Sequence, residues 1–232
     1  MTSDPLPTQT APAGPSRTVD AAMPAPAEDR GYAYSDAEFN CSHGYLVTPM
    51  LEIIKQIQWP PGPKRIFDLG CGNGSVAAIL TKRGYDVVGV DPSVDGIVQA
   101  NRAYPNLKLH EGSAYDDLAG KYGQFSVVVS LEVVEHVYYP RKYAACVYNL
   151  LQSGGTAIIS TPYHSYLKNL ALAASGAMDG HFTALWEHGH IKFWSIKTLG
   201  QLLREAGFKK IDFRRVGRIP ALAKSMIATA HK

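Results

Sequence analysis

The sequence predicts one domain of the α/β class, built on a doubly wound, mostly parallel seven-stranded sheet. Three observations predict it. Short apolar segments alternate with helical ones, three closely spaced glycines follow the first of those segments, and a carboxylate ends the second. Strict alternation implies right-handed crossovers with helices on both faces of the sheet. A chain of 232 residues is long enough for one core of this kind.

The domain is predicted over residues 31–232, after a tail at residues 1–30. That tail holds much Pro, Ala, Ser and Thr and almost no large apolar side chain. It cannot bury enough surface to offset the entropy of ordering, and we expect it to be disordered. It also lacks the charged start and apolar stretch of a secretory signal.

An amphipathic helix opens the domain, and alternating elements follow. Its apolar side chains recur at spacings of three and four, up to prolines 60, 61 and 63: Leu46, Val47, Met50, Leu51, Ile54 and Ile57. Strands are predicted at 65–69, 86–90, 107–110, 125–130, 156–160, 210–216 and 225–230, and helices at 75–83, 94–102, 141–151 and 195–206. The last two strands should form an antiparallel hairpin at the sheet edge. An extra helix at 165–177 and an irregular stretch at 181–194 are predicted to form a lid insertion at about 165–194.

The composition indicates which kinds of partner the protein is expected to bind. The net charge is only +3 and no Lys/Arg block occurs, so nothing indicates nucleic acid and a small-molecule acceptor is the expected partner. No apolar run approaches the ~18 residues of a transmembrane helix. Three scattered cysteines, Cys41, Cys71 and Cys146, fit neither a disulfide framework nor a zinc site, which suits a cytoplasmic protein. The sequence leaves the oligomeric state open.

The glycine segment predicts a ligand site. Gly70, Gly72 and Gly74 alternate directly after an apolar strand and before a helix. Glycine lets the backbone turn tightly and approach a ligand, and the carboxyl end of a strand is where open α/β sheets bind ligands. Seventeen residues after Gly74, Asp91 ends the second strand and is suited to the hydroxyls of a ribose. The third glycine comes one position earlier than in the GxGxxG of NAD enzymes, which favours a nucleoside without a pyrophosphate.

This segment resembles the first motif of class I S-adenosylmethionine-dependent methyltransferases, which have a Rossmann-like fold. The resemblance covers roughly residues 40–232, and it implies S-adenosyl-L-methionine as cofactor. It places the methionine part near Gly70 and Gly72, the ribose on Asp91 and the adenine against Pro92 and the turn after strand three. The cofactor-binding residues so implied are Asp68, Gly70, Cys71, Gly72, Gly74, Asp91, Pro92, Ser113, Ala114, Asp116 and Leu131.

The turn after strand three departs from the usual pattern. Ser113 stands where many relatives carry an aspartate. Two interpretations of Asp116 follow: it receives the adenine amine in place of that aspartate, or it caps the next turn.

The end of the fourth strand, 130–137, closely resembles the ubiquinone-biosynthesis O-methyltransferases. Glu132, Glu135 and His136 lie at i, i+3 and i+4, which predicts one side of a helical turn facing the cleft. Two readings are open. The three side chains hold a divalent cation such as Mg²⁺ that lowers the pKa of the acceptor, as the resemblance suggests. Alternatively, the two glutamates cap the turn and His136 alone acts as base or orients the substrate.

The lid carries a second cluster at 186–194. Relatives have a histidine near the position of His190, so His136, Glu135 and His190 are the candidate catalytic residues. The aromatic side chains of this cluster either stack on a planar or lipid-like acceptor or pack into the core. A zinc site from His181, His188 and His190 is disfavoured because no cysteine accompanies them. Cys71 is expected to be a small residue of the glycine loop.

The predicted function is methyl transfer to a small-molecule acceptor, at a hydroxyl oxygen of a phenolic, quinol-like or sugar compound. Alternatives are an N-methyltransferase of a secondary metabolite and a catalytically inactive module that binds S-adenosylmethionine. An NAD-dependent oxidoreductase is disfavoured by the glycine spacing and by the lack of a Ser/Tyr/Lys set.

Overall fold

A computed structural model describes residues 43–186 and 188–232 of the chain. The predicted disorder of residues 1–30, Cys41 and Glu187 lie outside the described residues. None of the helices in the described part is long and apolar enough to cross a membrane.

Among the described residues, seven strands form one sheet in the order β3-β2-β1-β4-β5-β7-β6. Within this sheet β7 runs antiparallel to both of its neighbours, β5 and β6. The strands are β1 (Arg65–Leu69), β2 (Asp86–Asp91), β3 (Lys108–Glu111), β4 (Phe125–Leu131), β5 (Leu151–Pro162), β6 (Lys210–Val216) and β7 (Ser225–His231). The predicted doubly wound, mostly parallel sheet with an antiparallel C-terminal pair is therefore confirmed.

Helices cover both faces of the sheet, with one apolar cluster under each face. One cluster packs beneath α1 (His43–Gln56), α2 (Ser75–Thr81) and α3 (Val94–Ala103). The other packs beneath α4 (Leu118–Tyr122), α5 (Pro140–Leu150) and α8 (Ile196–Glu205). The central strand β4 is consequently buried along its whole length, as expected for a strand covered on both sides.

Several predicted elements differ from those observed. The helix predicted at 165–177 is observed as α6 (Tyr166–Ala174), which ends before Gly176 because that residue takes a left-handed φ of 70°. A further short helix, α7 (Met178–Phe182), follows beyond the predicted range. Strand β5 begins at Leu151, directly after α5, and is longer than predicted. Helix α4 and a 3₁₀ turn at Pro220–Leu222 were not predicted, being too short for a periodic pattern.

The site is positioned by the order of the strands. β1 pairs with β2 on one side and with β4 on the other, so the chain winds outward in both directions from this pair. The carboxyl ends of such strands open into a crevice at the point where the order reverses. The glycine segment follows β1, Asp91 ends β2, and Glu132 follows β4.

Candidate active site

A cleft of about 1380 Å³ opens at the carboxyl ends of β1, β2 and β4. Its floor holds the glycine loop and the ends of these strands. The remaining lining comes from the lid, including α6, and from the segment between β6 and β7. Most of the predicted cofactor residues line it: Asp68, Gly70, Cys71, Gly72, Asp91, Pro92, Ser113, Ala114 and Leu131.

The glycine loop is held against the second strand. The N–H groups of Gly70 and Cys71 both donate to the carbonyl oxygen of Val90, at 2.8 and 3.1 Å. Gly70 has a φ of 80°, and a Cβ at this position would collide with the side chain of Val133. Glycine is therefore required here by both the backbone conformation and the space.

Gly74 has a different role from the one predicted. It does not line the cleft, and with a φ of 78° it packs against β3 and α3. A Cβ on Gly74 would lie 2.6 Å from Leu109 and 3.1 Å from Ala100. Gly74 therefore allows the start of α2 to pack closely against β3 and α3, while Gly70 and Gly72 line the cleft.

Asp91 and Gly72 face each other across the floor of the cleft. The N–H of Gly72 donates to Asp91 Oδ2 at 2.8 Å, and the N–H of Ser93 donates to Oδ1 at the same distance. Burial raises the pKa of Asp91, and these two backbone hydrogen bonds oppose that shift. The carboxylate is thereby fixed in orientation and keeps further lone pairs for a ligand.

Asp68 is a second buried acid in the same floor. Its Oδ2 has no hydrogen-bond partner among the described residues. Burial, followed by the neighbouring charge of Asp91, raises the pKa of Asp68 to about 7. A buried carboxyl oxygen without a partner is costly, and a cationic or N–H donor ligand in the cleft would remove that cost.

At the opposite end of the floor, Ser113 and Ala114 line the cleft and Asp116 does not. Asp116 is exposed, and its Oδ2 accepts a hydrogen bond of 2.7 Å from the N–H of Ser113. Of the two interpretations of Asp116, the geometry favours the one in which it caps the turn. Tyr115, which the sequence did not single out, lines the cleft beside them.

The predicted helical arrangement of Glu132, Glu135 and His136 is wrong. Glu132 has a left-handed φ of 55° and precedes a turn closed by His136 N–H and the carbonyl of Val133. The Glu132 carboxylate points away from the other two, toward β5 and β7. There it accepts hydrogen bonds from the hydroxyls of Ser160, at 2.8 Å, and Ser225, at 3.3 Å.

The structure instead brings together Glu135, His136 and His190. One ligand-type atom from each lies within 4.8 Å of the others. The lid holds this arrangement, because the N–H groups of Ile191 and Lys192 donate to the carbonyl of Glu135 at 3.0 and 2.9 Å. All three predicted catalytic residues therefore meet, although His190 lies more than fifty positions from the other two in the chain.

Burial shifts the pKa of Glu135 and of both histidines toward the neutral form. Glu135 is buried, neither carboxyl oxygen has a hydrogen-bond partner among the described residues, and burial with the charge of Glu132 raises its pKa well above the usual range. Burial also lowers the pKa of His136, and burial with the neighbouring histidines lowers that of His190 to about 4. Both imidazoles are therefore neutral at pH 7, which is the form that binds metals.

The tautomer of His136 follows from its partners. Its Nδ1 lies 2.9 Å from the carbonyl oxygen of His188 and 3.2 Å from that of Gly189. Carbonyl oxygens only accept, so Nδ1 carries the hydrogen and Nε2 of the neutral ring carries the lone pair. The lid thus leaves one basic nitrogen for a substrate or an ion.

The aromatic residues of the lid divide between the two predicted roles. Trp194 is buried, and its Nε1 donates to the carbonyl of Val134 at 3.0 Å, which anchors the end of the lid in the core. Trp186 lines the cleft beside His136 and His190. His181 and His188 also line the cleft, but they are not part of the three-residue group.

Four polar residues that line the cleft are not among those predicted from the sequence. Tyr45 on α1, Lys168 on α6, and Arg218 and Lys224 between β6 and β7 all line it. No local motif marks them. The signal available was the face of α6, where Lys168, Ala171, Leu172 and Ser175 recur at helical spacing and point into the cleft.

Comparison with known proteins gives a family that agrees with the fold and the cleft. Residues 44–212 match the model of a family described as a methyltransferase domain. This match spans more than half of the chain, and the chain therefore belongs to the methyltransferase domain family.

Two of the similar relatives are ubiquinone biosynthesis O-methyltransferases. The protein of Cereibacter sphaeroides is 32% identical over 162 residues, which cover 64% of this chain and 61% of that protein. The protein of Roseobacter denitrificans is 33% identical over 156 residues, with the same coverage. The matched part is thus less than two thirds of the length of these relatives.

Solved structures share the fold. A possible histamine N-methyltransferase of Thermotoga maritima superposes with a TM-score of 0.57 at 19% identity, covering 78% of this chain and 87% of that one. A SAM-dependent methyltransferase of Archaeoglobus fulgidus gives 0.59 at 17% identity, covering 81% and 93%. At such identities the likeness concerns the architecture alone.

Proposed function

We propose that this protein is an S-adenosylmethionine-dependent methyltransferase that methylates a hydroxyl oxygen of a small molecule. The observation that carries the proposal is the pair of buried acids, Asp68 and Asp91, at the carboxyl ends of two adjacent parallel strands and beside the glycine loop. The membership of the methyltransferase domain family and the names of the relatives support it.

The residues of the cleft floor fit this cofactor. The unpartnered Oδ2 of Asp68 suits the ammonium of the methionine part, and the fixed carboxylate of Asp91 suits a ribose diol. Two acids also match a ligand with a positively charged sulfur. When bound, S-adenosylmethionine supplies a methyl group on that sulfonium, activated for displacement by a nucleophile.

The chain's own residues have to align and activate the acceptor. The acceptor oxygen forms the new C–O bond as the C–S bond breaks with its electron pair left on sulfur, and the hydroxyl proton must leave. A hydroxyl is a weak nucleophile, so a base or a cation beside it raises the rate. Glu135, His136 and His190 are the polar group beside the lid that can serve this need.

We propose that these three residues hold a divalent cation such as Mg²⁺. The two imidazoles are neutral and weakly basic, so they are better suited as ligands than as bases. The buried Glu135 carboxyl would gain the positive partner that it lacks among the described residues. Such a cation would lower the pKa of the acceptor hydroxyl. Without it, Nε2 of His136 would be the base.

The affinity for S-adenosylmethionine is expected to rise with pH. The pKa of Asp68 is raised to about 7 by burial and by Asp91, and a cationic ligand favours the ionised carboxylate. As the pH rises through 7, Asp68 becomes ionised in the free protein, so binding no longer has to remove its proton. The dissociation constant should fall about eightfold between about pH 6 and pH 7.5, as measured by calorimetry. Asp68→Asn should weaken binding and flatten this profile. A flat profile in the unsubstituted protein would contradict the role of Asp68.

The function is tested by following a labelled methyl group. Incubation with S-adenosylmethionine labelled in its methyl group and a metabolite extract should transfer the label to a small molecule, detected by mass spectrometry. The bond that carries the label then distinguishes oxygen from nitrogen acceptors. In a thermal-shift assay S-adenosylhomocysteine should stabilise the protein. Stabilisation by NADH alone would refute the proposal.

A further inference from the structure

Three basic residues, Lys168, Arg218 and Lys224, line the cleft. They come from separate elements: α6, the segment after β6, and the residue before β7. We call them the basic group. Because these elements are distant in the chain, only the fold brings the three charges to the same cleft.

Lys168 lies beside apolar residues on the cleft face of α6. They are Ala171 and Leu172, one turn along the helix, and Ser175 follows directly after the helix end. The side chain is half-buried, and among the described residues its ammonium donates only to the carbonyl oxygen of Tyr163, at 3.2 Å. Burial, followed by the charge of Arg218, lowers the pKa of Lys168. A cation so placed gains from an anionic partner.

No carboxylate among the described residues forms an ion pair with any member of the basic group. Lys224 instead places its ammonium over the ring of Tyr45, 5.3 Å from the centroid. The carboxylates that line the cleft are Asp68, Asp91 and Glu132, which belong to the ends of β1, β2 and β4. The acidic floor of the cleft, with Asp68 and Asp91, and the basic group are therefore supplied by different elements.

We propose that the basic group is a subsite for an anionic group of the methyl acceptor, a carboxylate or phosphate carried on an apolar body. This inference rests on the proposed function, because it takes the acidic floor as the place of the cofactor. Lys168 and Arg218 bind the anion, and Ala171 with Leu172 contacts the apolar body. The acceptor hydroxyl then lies toward His136 and His190, which line the same cleft, with Glu135 buried beside them.

Calorimetry on protein saturated with S-adenosylhomocysteine tests this subsite. The probes are 3-phenylpropanoate, octanoate and phenylphosphonate, each compared with its neutral methyl ester. The variants are Lys168→Met and Arg218→Met, which keep an apolar stem and remove the charge. Lys197→Met is the matched control, because Lys197 is exposed on α8 and does not line the cleft.

At least one acid is expected to bind about tenfold more tightly than its ester. Lys168→Met should abolish this preference, Arg218→Met should reduce it, and Lys197→Met should leave it unchanged. The carboxylates and the phosphonate are tested separately, so the order of their affinities identifies which kind of anion the subsite prefers. Equal or absent binding of every acid and ester overturns the inference.

The affinity for S-adenosylhomocysteine, measured on the same variants, separates the two proposals. It should change less than about twofold in Lys168→Met and Arg218→Met. Clear loss of this affinity would mean that the basic group serves the carboxylate of the cofactor, which overturns the inference and leaves the proposed function standing. Failure of the unsubstituted protein to bind S-adenosylhomocysteine would instead refute the proposed function.

Discussion

Replacing Asp91 with asparagine is expected to weaken the binding of S-adenosylhomocysteine by at least about 100-fold. The change removes a buried charge that would bind the ribose. In the unsubstituted protein, the two carboxylate oxygens of Asp91 accept hydrogen bonds of 2.8 Å from the N–H groups of Gly72 and Ser93. Asparagine has only one oxygen to accept these two hydrogen bonds. The dissociation constant can be measured by calorimetry, with the melting temperature as a check on folding.

Asp86→Asn is the matched control for this variant. Asp86 begins the strand that Asp91 ends, and it forms an exposed ion pair with Lys108 at 2.7 Å. Exposed pairs of this kind contribute only about 0–1 kcal/mol. The control should therefore bind S-adenosylhomocysteine as the unsubstituted protein does. Similar affinities for Asp91→Asn and Asp86→Asn would refute the assignment of the ribose site.

Replacing His190 with alanine is expected to lower the affinity for Mn²⁺ at least about tenfold, because His190 is one of three side chains whose ligand atoms converge within 4.8 Å. Turnover of the identified acceptor should fall by about 100-fold or more with it. Mn²⁺ serves as the probe because its binding is measured directly by paramagnetic resonance, independently of methyl transfer.

Glu132→Gln distinguishes the group seen in the structure from the one that the sequence predicts. Glu132 directs its carboxylate to Ser160 and Ser225 and is not part of the converging group. Its replacement removes no ligand atom of the converging group and should weaken Mn²⁺ binding far less than His190→Ala does. Loss of Mn²⁺ binding in Glu132→Gln but not in His190→Ala would instead support Glu132, Glu135 and His136, the metal ligands predicted from the sequence. Absence of Mn²⁺ binding to the unsubstituted protein, with turnover unaffected by a chelator, would leave His136 as the base.

Much of the cofactor side could be predicted because it depends on local sequence. A glycine with a left-handed φ, an acid at the end of a strand and a strand that runs into a helix are properties of short segments. Their positions relative to one another follow from parallel pairing of β1 and β2. For the same reason Gly70, Gly72 and Asp91 could be named together, whereas the packing role of Gly74 needed the position of Leu109.

The acceptor side could not be predicted in the same way, because its contacts join segments far apart in the chain. The spacing of Glu132, Glu135 and His136 suggested a helix, but the left-handed backbone at Glu132 turns its side chain toward β5 and β7. The third member of the group with Glu135 and His136 is His190. It lies beside them because the next two residues of the lid donate hydrogen bonds to the backbone carbonyl of Glu135.

The sequence by itself determined the α/β class, the alternation of elements and the glycine loop with the acid at the end of the second strand, since each of these follows from backbone preferences and apolar periodicity over a few residues. Only the tertiary structure decided that Glu135, His136 and His190 converge and that Glu132 does not join them. It also decided that Lys168, Arg218 and Lys224 line one cleft. Both depend on how the lid and the last two strands pack over the sheet, and that packing is set by long-range burial and not by any local pattern.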